Sequence, residues 1–209
     1  MPTEHPKSAP PDRAVNGPLD DDEANQVRPY VDLGGVKIVP RDGLHLRLEV
    51  EEGTGRVVAV GLDIEGSSLQ VQPFAAPRSS GIWHEIREQI NEQILRQGGT
   101  TRLVDGPFGP ELIAQVPAQA ERGGPPVSRI ARFVGVDGPR WFLRGVISGD
   151  GAVDAAAAQQ IEELFRSVVV VRGTAPMPPR DLIPLRMPPD ATAEATGPAP
   201  DNAYRTLEA

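Results

Sequence analysis

The side chains best suited to chemistry in this chain are its arginines and its two tryptophans. Arg129, Arg132, Arg140 and Arg144 fall in one stretch, RIARFVGVDGPRWFLRGVISG at residues 129–149, while Arg78, Arg172, Arg180 and Arg186 flank other apolar segments. A guanidinium carries a planar fork of donors that matches a carboxylate or phosphate, and it stacks on aromatic faces. One reading of these residues is a pocket for an anionic ligand or acidic peptide, edged by Trp83, Trp141 and Arg144, with Arg78, Arg132 and Arg180 as further contacts. The competing reading is structural: ion pairs with Asp63, Glu65, Asp105 or Asp181. Arg132 in particular falls on an apolar face, so it must be paired or reach an edge.

Other chemistries find little support in the spacing of residues. The three histidines are scattered: His5 in the N-terminal stretch, His45 on a polar strand face, His84 at i,i+4 from Glu88 on a helix. Neither H-x-x-x-H nor a carboxylate cluster of metal-ligand spacing occurs, so no metal is expected. No G-x-S-x-G supports a hydrolase nucleophile. The glycine-rich turn at residues 105–110, DGPFGP, carries two prolines that remove the amide donors a phosphate cradle uses. The pairs Glu51-Glu52 and Glu162-Glu163 read as solvated charge. No cofactor is expected.

The elements that must position these residues follow from periodicity. Residues 129–149 read as two strands joined by a turn at Asp137-Gly138-Pro139-Arg140. Pairing Val136 with Trp141 places Val134 opposite Leu143 and Ile130 opposite Ile147 on one apolar face. The other face holds Ala131, Phe133, Phe142 and Val146, with Arg144 opposite Phe133. Both faces are therefore expected to be covered, making this a central pair. Gly135 and Gly145 mark bulges or the close approach of a covering helix. Upstream, residues 36–39, 44–50, 57–62 and 69–73 read as a four-strand antiparallel meander. Residues 79–99 hold a helix started by Ser79 or Ser80, ended by Gly98-Gly99, with Ile82, Ile86, Ile90 and Ile94 on one stripe. Residues 100–104 and 111–116 are further strand candidates, and 119–126 a Gly/Pro-rich surface loop. Asp154 caps a second helix carrying Ala157, Ile161, Leu164 and Phe165. Four valines at 168–171 form a short buried strand. Residues 174–189, TAPMPPRDLIPLRMPP, contain too many prolines for helix or strand and read as an extended arm held by Met177, Leu182, Ile183, Leu185 and Met187.

Composition sets the class. Of 209 residues, 23 are Pro and 22 Gly, and the formal charge is −8. Residues 31–187 carry 19 acids against 17 bases, so the acidity belongs mostly to the ends. A near-neutral body offers no general attraction to nucleic acid or anionic lipid. With no cysteine, no secretory leader and no apolar run of spanning length, a soluble cytoplasmic protein is expected. The expected organisation is α+β, a mainly antiparallel sheet covered by two helices. Residues 1–30 form a disordered acidic tail, 31–173 the domain, 174–189 the arm packed on it, and 190–209 a second disordered tail.

Four segments together, at residues 74–90, 104–112, 132–149 and 168–188, resemble the actinobacterial family catalogued as domain of unknown function 3710. That resemblance spans roughly residues 31–188 and implies a cytosolic actinobacterial protein, with no catalytic residues to carry over. More distantly, the order of strands and helices is similar to the Mog1/PsbP-like sandwich, a fold that generally serves binding or assembly. The expected function is a non-catalytic module binding an unidentified protein partner. The alternatives are an anionic small-molecule sensor or enzyme, and a single-stranded nucleic-acid binder.

Overall fold

The computed structural model describes residues 5–118 and 127–188. The loop expected at residues 119–126 and the tail expected at 190–209 lie outside the described residues.

The domain is α+β, built on a seven-stranded antiparallel sheet in the order β4-β5-β6-β10-β9-β8-β7. Its strands are β4 (His45–Val50), β5 (Val57–Ile64), β6 (Ser67–Ala75), β7 (Thr100–Gly106), β8 (Gly109–Ala118), β9 (Val127–Asp137) and β10 (Trp141–Gly149). A second sheet of short strands runs β1-β11-β3-β2, from β1 (Leu19–Asp20), β2 (Val31–Asp32), β3 (Val36–Ile38) and β11 (Val169–Val170). Two long helices, α2 (Trp83–Arg96) and α3 (Ala155–Arg166), supply the covers; α1 (Arg13–Asn16) is a single turn.

The β9–β10 hairpin is central, and alternation sends its side chains to two dry layers. Val134, Val136, Trp141, Leu143 and Ile147 enter one core with Phe108, Ile161, Leu164 and Phe165. Ala131, Phe133, Phe142 and Val146 enter the other with Trp83, Ile90 and Ile94 of α2. The register is two residues from the expected one: Leu143 pairs with Val136 and Gly145 with Val134. A shift of two preserves both faces, which is why the expected layers stand although the pairing does not. Its cause is the turn. Asp137 remains a strand residue paired with Phe142, and Gly138 N–H donates to the Trp141 carbonyl at 2.8 Å, leaving only Pro139-Arg140 between them.

Gly135 and Gly145 mark close approach, with no break in register beside either. A Cβ on Gly135 would lie 2.4 Å from the Trp83 ring, and one on Gly145 2.9 Å from the Phe165 ring. Each face of the hairpin thus gives up one side chain to seat an aromatic from its covering helix. α3 begins as expected, the Asp154 carboxylate accepting the Ala157 N–H at 2.9 Å. α2 does not begin at Ser79 or Ser80. It starts at Trp83, with no cap from the side chain of its own N-cap residue, Ile82. The Asp137 carboxylate reaches across from the hairpin and accepts the Ile82 N–H at 3.0 Å.

Three further placements differ from expectation. Residues 36–38 join the small sheet beside β11, so the meander is β4-β5-β6 alone. Three residues flanked by Gly34-Gly35 and Pro40 are too short to pair along β4, and Val36 and Ile38 instead close the α3-side core. Residues 5–30, expected as an unstructured tail, have residues docked on the body. Ser8 and Asp137 exchange backbone and side-chain bonds, Gly81 N–H donates to His5 O at 2.9 Å, and β1 pairs with β11 in parallel. Composition missed this because the docking is by backbone and charged groups, with small residues alone buried: Pro10, Gly17, Pro18 and Ala24. Third, the arm enters the sheet itself. Where β5 diverges from β6, Arg180 N–H donates to Ala75 O and Ile183 N–H to Pro73 O. The Pro73 nitrogen therefore faces the arm, and no ladder bond to β10 is lost. Leu182, Ile183 and Leu185 are buried, Met177 packs on the core, and Met187 is exposed.

Gly135→Ala tests the seating of α2. Overpacking against Trp83 and Phe142 is expected to cost about 1–3 kcal/mol in chemical denaturation, and an unchanged midpoint would place the helix farther from the sheet.

Candidate functional site

The two tryptophans occupy opposite faces of the sheet, so they cannot edge one pocket. Trp83, wholly buried, stacks on Phe142 with centroids 5.6 Å apart, and its indole N–H donates to Pro110 O at 2.7 Å. Trp141, also wholly buried, faces the α3 side, where its indole N–H donates to the Asp20 carboxylate at 2.7 Å. The Arg13 guanidinium lies 5.7 Å from the Trp141 ring. Alternation decides this: Trp141 and Phe142 are neighbours in β10, so the ring that meets Phe142 lies across the sheet from Trp141.

Arg132 is a buried ion-paired residue, as the structural reading required, but with other partners. Its Nη2 lies 2.9 Å from Glu111 Oε2 and 2.6 Å from Glu162 Oε1, and its Nη1 donates to Gly151 O at 3.4 Å. The four acids weighed from sequence are not these. Glu111 sits one strand away on β8, and Glu162, expected on the wet side of α3, points back to the sheet. Glu111 is 1% exposed, and burial pushes its carboxyl above the usual carboxylate range, against the pull of Arg132.

Arg144 lies on the α2 side. In the observed register Gly135 and Gln72, rather than Phe133, flank it; its Nη2 donates to Gln72 Oε1 and its Cζ lies 5.9 Å from the Phe74 ring. Phe74 stacks in turn on Phe142 at 6.2 Å, so Trp83, Phe142 and Phe74 form a line of rings. Arg180, on the arm with φ 75°, is paired with Glu85 of α2. Arg78 is exposed on the loop between β6 and α2. The six residues therefore divide between two faces, a loop and the arm.

Two side chains that sequence reading did not single out each take partners from distant parts of the chain. Asp137 is buried, accepting from Ser8 N–H at 2.9 Å as well as from Ile82. Burial raises its carboxyl and the amides of Ile82, Ser8 and Trp83 pull it back. Lys37 is bonded to Asp21 at 2.5 Å, beside the Trp141–Asp20 contact. A lone aspartate in a turn and a lone lysine in a strand carry no spacing signal, so only topology reveals them. His5 and His84 meet with ring centroids 4.0 Å apart; burial, then His5 and Arg87, hold His84 below its usual range while Glu88 opposes them. Among the described residues no group of three His, Asp or Glu could hold a metal ion, and no helix is long and apolar enough to cross a membrane.

One open part of the sheet surface lies at its β7 end. Beyond Arg132 the α3-side face is left uncovered by the described residues. Register aligns Arg102 with Ile113 and Arg132 across three strands, and Thr100 with Gln115 and Ile130. Ile130 is 39% exposed, Ile113 and Val104 are half-buried, and Arg102, Gln115 and Thr100 surround them in the open.

The Arg132 cluster gives a pH prediction with a definite sign. A carboxyl whose folded pKa is raised binds more protons folded than unfolded, so stability falls as pH rises above the unfolded value, about 4.3 for Glu. Glu111 and Asp137 both contribute this slope. Glu111→Gln is expected to flatten it in urea titrations from pH 4 upward. Arg132→Met, which leaves Glu111 buried without its partner, is expected to cost about 3–5 kcal/mol at neutral pH. A pH-independent Glu111→Gln difference would show that the carboxyl is not raised.

No curated protein and no solved structure matches the chain. The family described as "Protein of unknown function (DUF3710)" matches residues 17–194, from the docked N-terminal segment through β11 and the arm. With most of its length under that match, the chain belongs to the DUF3710 family.

Proposed function

We propose that this chain is a non-catalytic cytoplasmic module that binds a partner protein through the open α3-side face of β7, β8 and β9. The observation that carries the reading is the aliphatic strip of Val104, Ile113 and Ile130 bordered by Arg102, Gln115 and Thr100. Aliphatic side chains at the centre with an arginine, an amide and a hydroxyl around them suit an interface, and β7 is the edge of the sheet. The side chains suited to chemistry support the same reading by their use inside the fold. Both tryptophans, Arg132, Arg144 and Arg180 are engaged in packing, hydrogen bonds or ion pairs with the body. The absence of cysteine agrees with a reducing compartment.

The test is co-purification of the tagged chain from its own cells, compared with Ile130→Glu and with a control substitution on the far face, Leu95→Glu. A stoichiometric partner is expected with the wild type and the control. Ile130→Glu, at an exposed position, should leave the melting temperature near that of wild type and weaken the complex roughly tenfold or more. A chain that purifies alone, or a complex indifferent to Ile130→Glu, would rule the interface out.

A further inference from the structure

We infer that the groove holding residues 19–23 is a recognition site for an extended acidic segment of another protein, with the chain's own segment as a removable occupant. This goes beyond the β7-end interface and does not rest on it.

The groove is built from residues of the α3-side core and from β11. Trp141, Val168 and Val170 pack there with Leu143, Ile161, Leu164 and Phe165, and they present an indole donor and the β11 backbone to the segment. The occupant is held by groups that any chain of the same charge could supply. Leu19 N–H donates to Val168 O at 3.1 Å, and Leu19-Asp20 run parallel to Val169-Val170. Asp20 takes the Trp141 N–H and Asp21 takes Lys37. Addition of a strand to an open edge, with side chains read by local donors, is a general mode of peptide binding. Here the donors are one indole and one ammonium, so the preferred sequence is an aliphatic residue followed by two aspartates.

The rest of the segment is held by polar contacts: Ser8 and Lys7 at the hairpin tip, and Arg166 on Asp12 and the Gly17 carbonyl. From residue 5 to residue 30 the only buried positions are Pro10, Gly17, Pro18 and Ala24, and Val15 and Val27 are 79% and 91% exposed. No large apolar side chain anchors the segment, so it can open while the two cores stay closed. Tethering still favours it over a free peptide, because a short linker confers an effective concentration in the millimolar range.

The test uses the full chain and a labelled synthetic peptide of residues 17–26, followed by fluorescence anisotropy. Asp20→Ala/Asp21→Ala weakens the tethered occupant without touching the groove. It is expected to bind the peptide roughly tenfold or more tighter than the wild type does. Adding Lys37→Glu to that variant should remove the gain, and a peptide with alanine at both aspartates should not bind. Hydrogen exchange on the unmodified chain is independent of any variant: amides of residues 19–24 should exchange well ahead of those in β9 and β10. The inference fails if the double variant takes no peptide at millimolar concentration, or if residues 19–24 exchange in step with the central strands. A strand-exchanged dimer of the unmodified chain would give the groove to a second copy and overturn its assignment to a different partner.

Discussion

The Asp137 carboxylate is the point at which three parts of the chain are made to agree. It ends the strand at the tip of the central hairpin, caps the start of α2 through Ile82 N–H, and receives Ser8 N–H from the N-terminal segment. Lys7 closes the same junction on the Gly138 and Pro139 carbonyls. A buried carboxylate is costly unless its lone pairs are filled, and helix-start amides are costly unless they find an acceptor. Each need answers the other, which is why α2 has no cap within its own sequence. Close passage enforces the arrangement: a Cβ on Gly81 would lie 2.6 Å from Asp137 Oδ2.

With α2 fixed there, the rest of the sheet follows from its two-sided burial. α2 lies over the β7–β9 side on one face, and α3 with the small sheet covers the β5–β10 side on the other. The covers are offset, so the faces left open are diagonal to each other. On the α2 side, the open half near β4 to β6 is filled by charge and amide pairs. Arg47 bridges Asp63 and Ser68, and Gln70 reaches Glu49. Burial opposes ionisation of Asp63, yet Arg47 and Ser68 hold it below its usual range, as a satisfied half-buried pair should. The other open half, at β7 to β9, keeps aliphatic side chains instead. That asymmetry is what separates a solvated surface from one suited to a partner.

Much of this was legible in sequence. Period-two alternation in β4, β9 and β10, the isoleucine stripe of α2 and the Asp154 cap each report a local rule, and each element is present, although α2 starts at Trp83 rather than at Ser79 or Ser80. The apolar residues of the arm were legible for the same reason, since Leu182 and Ile183 could not be left in water beside so many prolines. What composition misjudged was anything held by backbone or charge at long range. The hairpin register depended on whether Asp137 belonged to the strand or the turn, and its long-range partners decide that. Arg132 was recognisable as a residue needing a counter-ion, but Glu111 and Glu162 come from another strand and a helix. The tryptophans were read as edges of one pocket with Arg144, yet alternation in β10 puts them on opposite faces of the sheet.

The N-terminal segment shows where an argument from composition stops. Low apolar content does imply that ordering residues 5–30 gains little from burial, and the structure agrees: nothing larger than proline is buried there. Backbone pairing and ion pairs hold the segment instead, from β1 on β11 to Lys37 on Asp21 and Arg166 on Asp12. The central strands, by contrast, are held by two aromatic cores. Burial in this protein therefore falls outward from the hairpin, and the docked N-terminal segment is held by polar contacts where the hairpin is held by apolar packing.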